Sequence, residues 1–166
     1  MTLSRTDVIY SVQLAVASLI AYCVAFYGLY SLVDRTSDQL GAMWAVISTV
    51  FVLRDTRAHS LTAALSRTVA TLAAVFLCVL YFLALPFHAV GMAILIGLGV
   101  LLVNLAGRRE DAITTGITIA VVMVVGGMNP GNDWLQAMLR LLDTLVGSAA
   151  GVAVAWAAKS LWGQKA

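Results

Sequence analysis

The sequence predicts an all-helical membrane protein with six transmembrane helices. Hydrophobic residues make up 61% of the 166-residue chain, charged residues make up 11%, and the mean hydropathy is +0.96. A soluble domain carries roughly 25% charged residues and needs a polar shell, for which this chain has too few charges. Lipid is therefore the solvent expected around most of the chain.

Charged residues mark the ends of the predicted helices, because a charge at the centre of a bilayer costs about 3 kcal/mol. Pro86 and Pro130, the two prolines, both fall at predicted turns, where the missing N–H costs little. The first apolar run is too long for a signal-peptide core, so we expect a retained first helix. The six runs are residues 8–33, 39–53, 68–87, 89–107, 112–126 and 134–161.

The distribution of Lys and Arg predicts that both termini lie in the cytoplasm. Basic residues are enriched on the cytoplasmic side of membrane proteins. With the N-terminus inside, only Arg35 and Arg140 fall on the outer side, and Trp134 and Trp162 lie near membrane interfaces. We accordingly expect a multi-pass protein of a bacterial inner membrane. The inner basic residues are Arg5, Arg54, Arg57, Arg67, Arg108, Arg109, Lys159 and Lys165.

An internal repeat is predicted from the charged residues. A shift of 73 residues superimposes runs one to three on runs four to six, and rare polar residues then coincide. The coincident pairs are Arg35 with Arg108, Asp38 with Asp111, the predicted helix caps Ser60 and Asp133, and Arg67 with Arg140. One transmembrane domain over residues 1–166 would thus hold repeats at about 8–85 and 88–161. Three helices per repeat make the two copies inverted, the plan of many secondary transporters.

Two of the predicted runs, which correspond to each other in the repeat, are short. Gln39–Leu53 and Ala112–Gly126 each have 15 residues, or about 22 Å of helix against a hydrocarbon core of ~30 Å. Short segments at matching positions indicate a substrate site near the bilayer midplane. The alternative is that Arg54 snorkels to the headgroups and the bilayer thins.

Three charged residues are the main candidates for binding a substrate. Arg140 and Asp143 are three residues apart on one helix face, so they either form a structural pair or act in function. In the functional interpretation, Arg140 binds a carboxylate and Asp143 is its partner or a proton carrier. Arg67 has no acidic residue three or four positions away, so it either snorkels or faces a wet cavity.

Three uncharged residues complete the predicted substrate-binding set. Trp44 suits stacking on an aromatic substrate, and packing between helices is the alternative. Thr71 and Thr144 would line a cavity unless their hydroxyls bond to their own backbone. Gly147 and Gly151, four residues apart, form a small-residue stripe that is a candidate contact between two copies of the chain.

Several classes of function are disfavoured. Cys23 and Cys78 lie in apolar runs without further ligands at metal spacing, so no metal site and no cofactor are predicted. The chain has no phosphate-binding loop and no histidine or carboxylate cluster, which argues against an enzyme. The formal charge of +2 is too small and scattered for a nucleic-acid surface.

Three segments resemble the fusaric-acid-resistance and aromatic acid exporter superfamily. They are Trp44–Ser48, Leu65–Leu72 and Arg140–Gly147 followed by Gly151. The resemblance implies an inner-membrane efflux component for aromatic carboxylates. Full exporters of this kind resemble two such six-helix halves with a cytoplasmic domain between them. A single half implies a homodimer. An envelope efflux partner protein is also expected for an inner-membrane efflux component.

The leading hypothesis is an exporter of small organic anions, in particular aromatic carboxylates. A passive anion channel is the first alternative. The second is a non-transporting scaffold or a subunit of a larger envelope complex, in which the arginines hold helices together or contact lipid. The sequence does not separate carrier from channel.

Overall fold

The computed structural model describes residues 4–28, 38–54, 56–128 and 133–162. These residues are 91% helical and contain no strand, which confirms the predicted all-α class. Six α-helices are described, and their bounds in chain order are α1 Arg5–Cys23, α2 Asp38–Val52, α3 Arg57–Ala84, α4 Ala89–Leu105, α5 Ala112–Gly127 and α6 Asp133–Trp162. A π-helical segment, Val24–Gly28, continues α1, and a 3-10 turn, Arg109–Asp111, precedes α5.

Local chemistry accounts for several helix ends. Ser4 and Asp7 form a capping box at the start of α1. The Ser4 hydroxyl oxygen accepts from backbone N–H groups of the first turn, and the Asp7 carboxylate accepts from the Ser4 backbone N–H. Pro86 lies in the turn between α3 and α4, as predicted. Gly107 has a φ of +77° just after α4, a conformation that glycine adopts without strain. Pro130 and Arg35 lie outside the described residues, as does the indole of Trp162.

Four segments of the described chain are long and apolar enough to cross a membrane. They are Arg5–Gly28, Ala58–Ala84, Arg109–Gly127 and Trp134–Ala158, and two shorter apolar helices are Gln39–Val52 and Ala89–Leu105. The second helix is therefore short, as predicted. Helix α5 is also short, as predicted, with 16 residues, and the 3-10 turn before it extends the apolar segment to 19 residues. Helix α4 has 17 residues.

The third helix begins earlier than the sequence predicted. It spans Arg57–Ala84, whereas the apolar run begins at residue 68. Arg67 therefore lies within the helix, two to three turns from its start. Ser60 was predicted to be a helix cap, but it lies inside α3. Its hydroxyl accepts a hydrogen bond from the backbone N–H of Arg54 at 2.9 Å and so holds the preceding turn.

The described chain forms two compact units. The first unit comprises Met1–Leu65 and Asp143–Ala166, and the second comprises Ser66–Leu142. Helices α3 and α6 each contribute a segment to both units. The six transmembrane spans, the inverted repeat and the cytoplasmic termini stay predictions.

In the first unit, small residues let three helices approach closely. Its buried cluster consists of alanines from α1 and its π-helical extension, from α2 and from α6: Ala21, Ala25, Ala42, Ala45 and Ala150. Gly147 and Gly151 of α6 lie against α2, since a Cβ atom at Gly147 would overlap the Ala45 carbonyl oxygen. The predicted contact of this glycine stripe with a second copy is therefore wrong. The stripe is used within the chain.

In the second unit, an apolar cluster joins four helices. It contains Ala74, Val75 and Cys78 of α3, Leu95 of α4, Ile119, Val122 and Met123 of α5, and Ala137 of α6. Many large apolar side chains point away from the interior, including Leu83 at 73% exposure and Ile113 at 77%. This surface suits a hydrocarbon solvent rather than water.

Candidate functional site

All six predicted site residues are buried. The exposed fractions are 3% for Trp44, 4% for Arg67, 1% for Arg140, and zero for Thr71, Asp143 and Thr144. Arg67, Thr71 and Arg140 belong to the second unit, whereas Trp44, Asp143 and Thr144 belong to the first.

Helix α3 places Arg67 and Thr71 on the interior face of the second unit. Arg67, Thr71, Ala74 and Cys78 follow one another at intervals of three or four residues, so they share one helix face. Ala74 and Cys78 belong to the apolar cluster of this unit. A side chain that snorkelled to the headgroups would be exposed, and Arg67 is 4% exposed. The position of Arg67 thus favours the interior interpretation.

Helix α6 places Arg140 in the same unit. Ala137, three residues before Arg140, packs in the apolar cluster, and Arg140 is among the largest fully buried side chains. Asp143 and Thr144 follow three and four residues later and continue this face of α6. Arg67, Arg140 and Asp143 each make at least one interaction with another group. The second unit therefore buries two guanidinium groups carried by two different helices.

The 3-10 turn before α5 contributes a buried carboxylate to the second unit. Asp111 is 3% exposed and accepts hydrogen bonds from the Ser66 hydroxyl of α3 and from Arg108 Nε at 2.6 Å. The carboxylate thereby ties the start of α5 to α3. The sequence marked Asp111 as the end of a span and as a repeat partner of Asp38. It gave no sign that Asp111 is buried, because a boundary charge is usually solvated.

The buried threonine hydroxyls fall into two groups. Thr49 and Thr118 donate to the carbonyl oxygens of Ala45 and Thr114, four residues earlier, at 3.0 and 2.8 Å. In contrast, the hydroxyls of Thr71 and Thr115 have no hydrogen-bond partner in the described part of the chain. The alternative that Thr71 bonds to its own backbone is therefore wrong. Thr115 was missed, because sequence alone does not separate the two groups.

Gln136 is a second residue that the sequence did not indicate. It lies one turn before Arg140 on α6 and is 5% exposed. Its side-chain carbonyl oxygen accepts no hydrogen bond from any residue in the described ranges. The signal that could have indicated Gln136 is its position one turn before Arg140. A glutamine near the start of a helix does not by itself indicate a site.

In the first unit, Trp44 is packed in the helical interior. It lies on α2 beside buried Ala45 and one turn before buried Ser48, and it makes at least one further interaction. The indole ring is therefore enclosed by helices, as the packing alternative requires. Stacking on an aromatic substrate stays a prediction.

The buried polar groups of the second unit suit the recognition of an anion. Arg67 and Arg140 carry positive charge, and Asp111 is bound to Arg108. Guanidinium groups and hydroxyls donate hydrogen bonds to carboxylate oxygens. No group of three or more His, Cys, Asp or Glu side chains that could hold a metal ion is present among the described residues.

Comparison with known proteins gives the family. A model described as fusaric acid resistance protein-like matches residues 16–154, which include every segment that carries the resemblance. No curated protein and no solved structure gives a significant match. Proteins of the matched family are membrane proteins of the transporter type rather than enzymes. The chain therefore belongs to the fusaric acid resistance protein-like family, and it is a multi-pass membrane protein with a role in transport or resistance.

Proposed function

We propose that this protein exports small organic anions, and aromatic carboxylates in particular, across a bacterial inner membrane. The observation that carries the proposal is the burial of Arg67 and Arg140 on two helices of the second unit. A guanidinium group stays protonated even when it is buried, so both residues keep their positive charge.

The buried guanidinium groups of the second unit suit an anion rather than a cation. Its buried charged residues in the described ranges are Arg67, Arg140 and Asp111. The single negative charge of Asp111 is already engaged by Arg108 and Ser66. Asp143 is also buried, three residues after Arg140 on α6, and both residues have interaction partners. The support for an anion is therefore the guanidinium chemistry and not a surplus of charge. The planar guanidinium also matches the two oxygens of a carboxylate.

Aromatic specificity and outward direction are the next parts of the proposal. Both follow from the resemblance of the residues around Trp44, Arg67 and Arg140 to aromatic acid exporters. Trp44 is the candidate for stacking on an aromatic ring, and Asp143 and Thr144 are further candidates for contact with the substrate. Membership of the family supports transport itself.

The working form would be a homodimer, joined to an envelope efflux partner. Six helices, of which two are short, enclose little space for a pathway, and full exporters resemble two such halves. The glycine stripe of α6 packs against α2, so a second copy would dock on another apolar face. Native mass measurement in mild detergent checks this proposal, and a monomer at every concentration would contradict it.

Flux of labelled benzoate in proteoliposomes tests the proposed function, with protein-free vesicles as the control. A carrier driven by the proton gradient gives saturable flux that rises with an imposed pH gradient. A passive channel gives anion conductance that does not depend on the pH gradient. Flux equal to that of protein-free vesicles for benzoate and for its ring-substituted relatives would favour the scaffold instead and contradict the proposal.

A further inference from the structure

Two buried hydroxyls of the second unit lack the acceptor that threonine normally has in a membrane helix. There, a threonine hydroxyl usually donates to the carbonyl oxygen one turn earlier, as Thr49, Thr62 and Thr118 do. Thr71 and Thr115 are fully buried, and no residue in the described ranges accepts a hydrogen bond from either. A buried donor without an acceptor is costly, so an acceptor from outside the chain is expected.

The fold places the two hydroxyls at a similar depth. Helices α3 and α5 are joined at one level by the hydrogen bond of Ser66 to Asp111. They meet again in the apolar cluster, which Ala74 of α3 and Ile119 of α5 both enter. Thr71 lies between the two levels on α3, and Thr115 lies between them on α5.

Neighbouring groups make this depth suitable for an anion. Arg67 is one turn before Thr71 on the same face of α3. The methyl group of Thr115 faces α4, where it would lie 3.3 Å from a Cβ atom at Gly99. The hydroxyl is on the other branch of the Thr115 side chain. A positive charge and two free donors therefore occur together on α3 and α5.

We infer that the hydroxyls of Thr71 and Thr115 donate hydrogen bonds to the carboxylate of the transported anion. This inference rests on the proposed function and makes both threonines specificity-determining residues. A carboxylate has two oxygens and about four lone pairs, so it accepts from two hydroxyls and a guanidinium together. Without the anion, the same hydroxyls would be satisfied by water that enters the pathway.

Valine variants test the inference, because valine keeps the shape of threonine and removes the hydroxyl. Thr71→Val and Thr115→Val should each raise the KM for benzoate about tenfold, the loss expected for one hydrogen bond to a charged group. Their melting temperature without ligand should stay the same or rise. Thr71→Ser keeps a hydroxyl and should keep the parental KM. Thr118→Val is the matched control, because its hydroxyl already bonds to Thr114, and its KM should not change.

The stabilisation of the detergent-solubilised protein by benzoate gives a second readout, independent of flux. Both valine variants should lose most of the rise in melting temperature that the parental protein shows. If a valine variant fails to melt cooperatively, serine and alanine at the same position replace it, with a parental KM expected for serine and a raised KM for alanine. Parental KM and parental stabilisation in both valine variants would overturn the inference and leave the proposed function intact. A parental protein that neither binds nor moves benzoate or its ring-substituted relatives would overturn both.

Discussion

The hydroxyl of Thr49 on α2 donates a hydrogen bond to the backbone carbonyl oxygen of Gly147 on α6, at 2.8 Å. The same hydroxyl also reaches the Ala45 carbonyl oxygen of its own helix, at 3.0 Å. Such a bond between a side chain and a neighbouring backbone requires the two helices to lie very close. Gly147 allows this approach, because a Cβ atom there would overlap the Ala45 carbonyl oxygen.

Gly147→Ala should therefore strongly destabilise the protein. The added methyl group meets backbone atoms, which cannot rotate away, and overpacking of this kind costs about 1–3 kcal/mol or more. Gly151→Ala should cost less, since its Cβ atom would lie 3.1 Å from the Val52 side chain. Thermal unfolding in detergent measures both. Gly97→Ala is the control, because nothing lies within 4 Å of its Cβ position. An unchanged melting temperature for Gly147→Ala would contradict the close α2–α6 contact.

Thr49→Val should destabilise the first unit by about 1 kcal/mol, because it removes a buried hydrogen bond and leaves the Gly147 carbonyl oxygen without this donor. Thr62→Val serves as the control. The Thr62 hydroxyl is exposed and donates to the Ala58 carbonyl oxygen of its own helix. Reversible unfolding in mixed detergent gives the two free energies. Equal effects of the two substitutions would mean that the bond across the helices contributes nothing.

Ser66 and Asp111 should be energetically coupled. The carboxylate of Asp111 is 3% exposed, and it accepts from the Ser66 hydroxyl and from Arg108. A double-mutant cycle with Ser66→Ala and Asp111→Asn should give an interaction energy of about 0.5–3 kcal/mol, the range for residues in contact. Ser11→Ala with Asp111→Asn is the control cycle, because Ser11 bonds to Asp7. Additive effects in the first cycle would show that Ser66 does not hold the start of α5.

Arg140→Gln should abolish benzoate flux while the protein still inserts and folds. Arg140→Lys should restore only part of the flux, because an ammonium group lacks the planar fork that binds two carboxylate oxygens. Arg109→Gln, which changes an exposed arginine of the 3-10 turn, should keep parental flux. The double variant Arg140→Leu with Asp143→Leu separates function from structure. We expect it to fold and to be inactive, and parental flux would rule out the substrate-binding role of Arg140.

The predicted topology is tested by cysteine labelling in intact cells and inverted vesicles. In a Cys23→Ala, Cys78→Ala background, single cysteines at Ser37 and Gly131 should react from outside. Single cysteines at Ala58 and Ala106 should react only from inside. Ser37 and Gly131 lie outside the described residues, so this prediction rests on the sequence. Reaction of Ser37→Cys and Ala58→Cys from the same side would contradict cytoplasmic termini and six spans.

Helix ends were predictable where a single residue determines them. Pro86 ends α3 because it cannot donate an N–H, and a proline at this position can be read from the sequence. The start of α3 was not predictable in this way. The segment from Arg57 to Ser66 is too polar to count as part of an apolar run, yet its helix is stabilised by continuity with the apolar segment that follows.

The candidate site was predictable in its charged members and not in its hydroxyls. Arg67 and Arg140 stand out because a charge in an apolar run is expensive and therefore rare. Whether Arg67 snorkels or faces the interior depends on the direction of its side chain, and the sequence does not determine that direction. Thr115 and Thr118 have the same chemistry three residues apart, and the rotamer of each hydroxyl decides which one keeps a free donor.

The sequence by itself determined that the chain is helical and spans a membrane, because both properties follow from composition and from the spacing of rare charges. The resemblance of three segments indicated the transporter family. Only the tertiary structure decided which partner each helix face meets. In lipid, an apolar face gains little from one apolar neighbour over another, so the pattern of hydrophobic residues does not specify partners. Close packing does specify partners. In the first unit Gly147 fits against Ala45 of α2, so a helix of the same chain covers this part of α6.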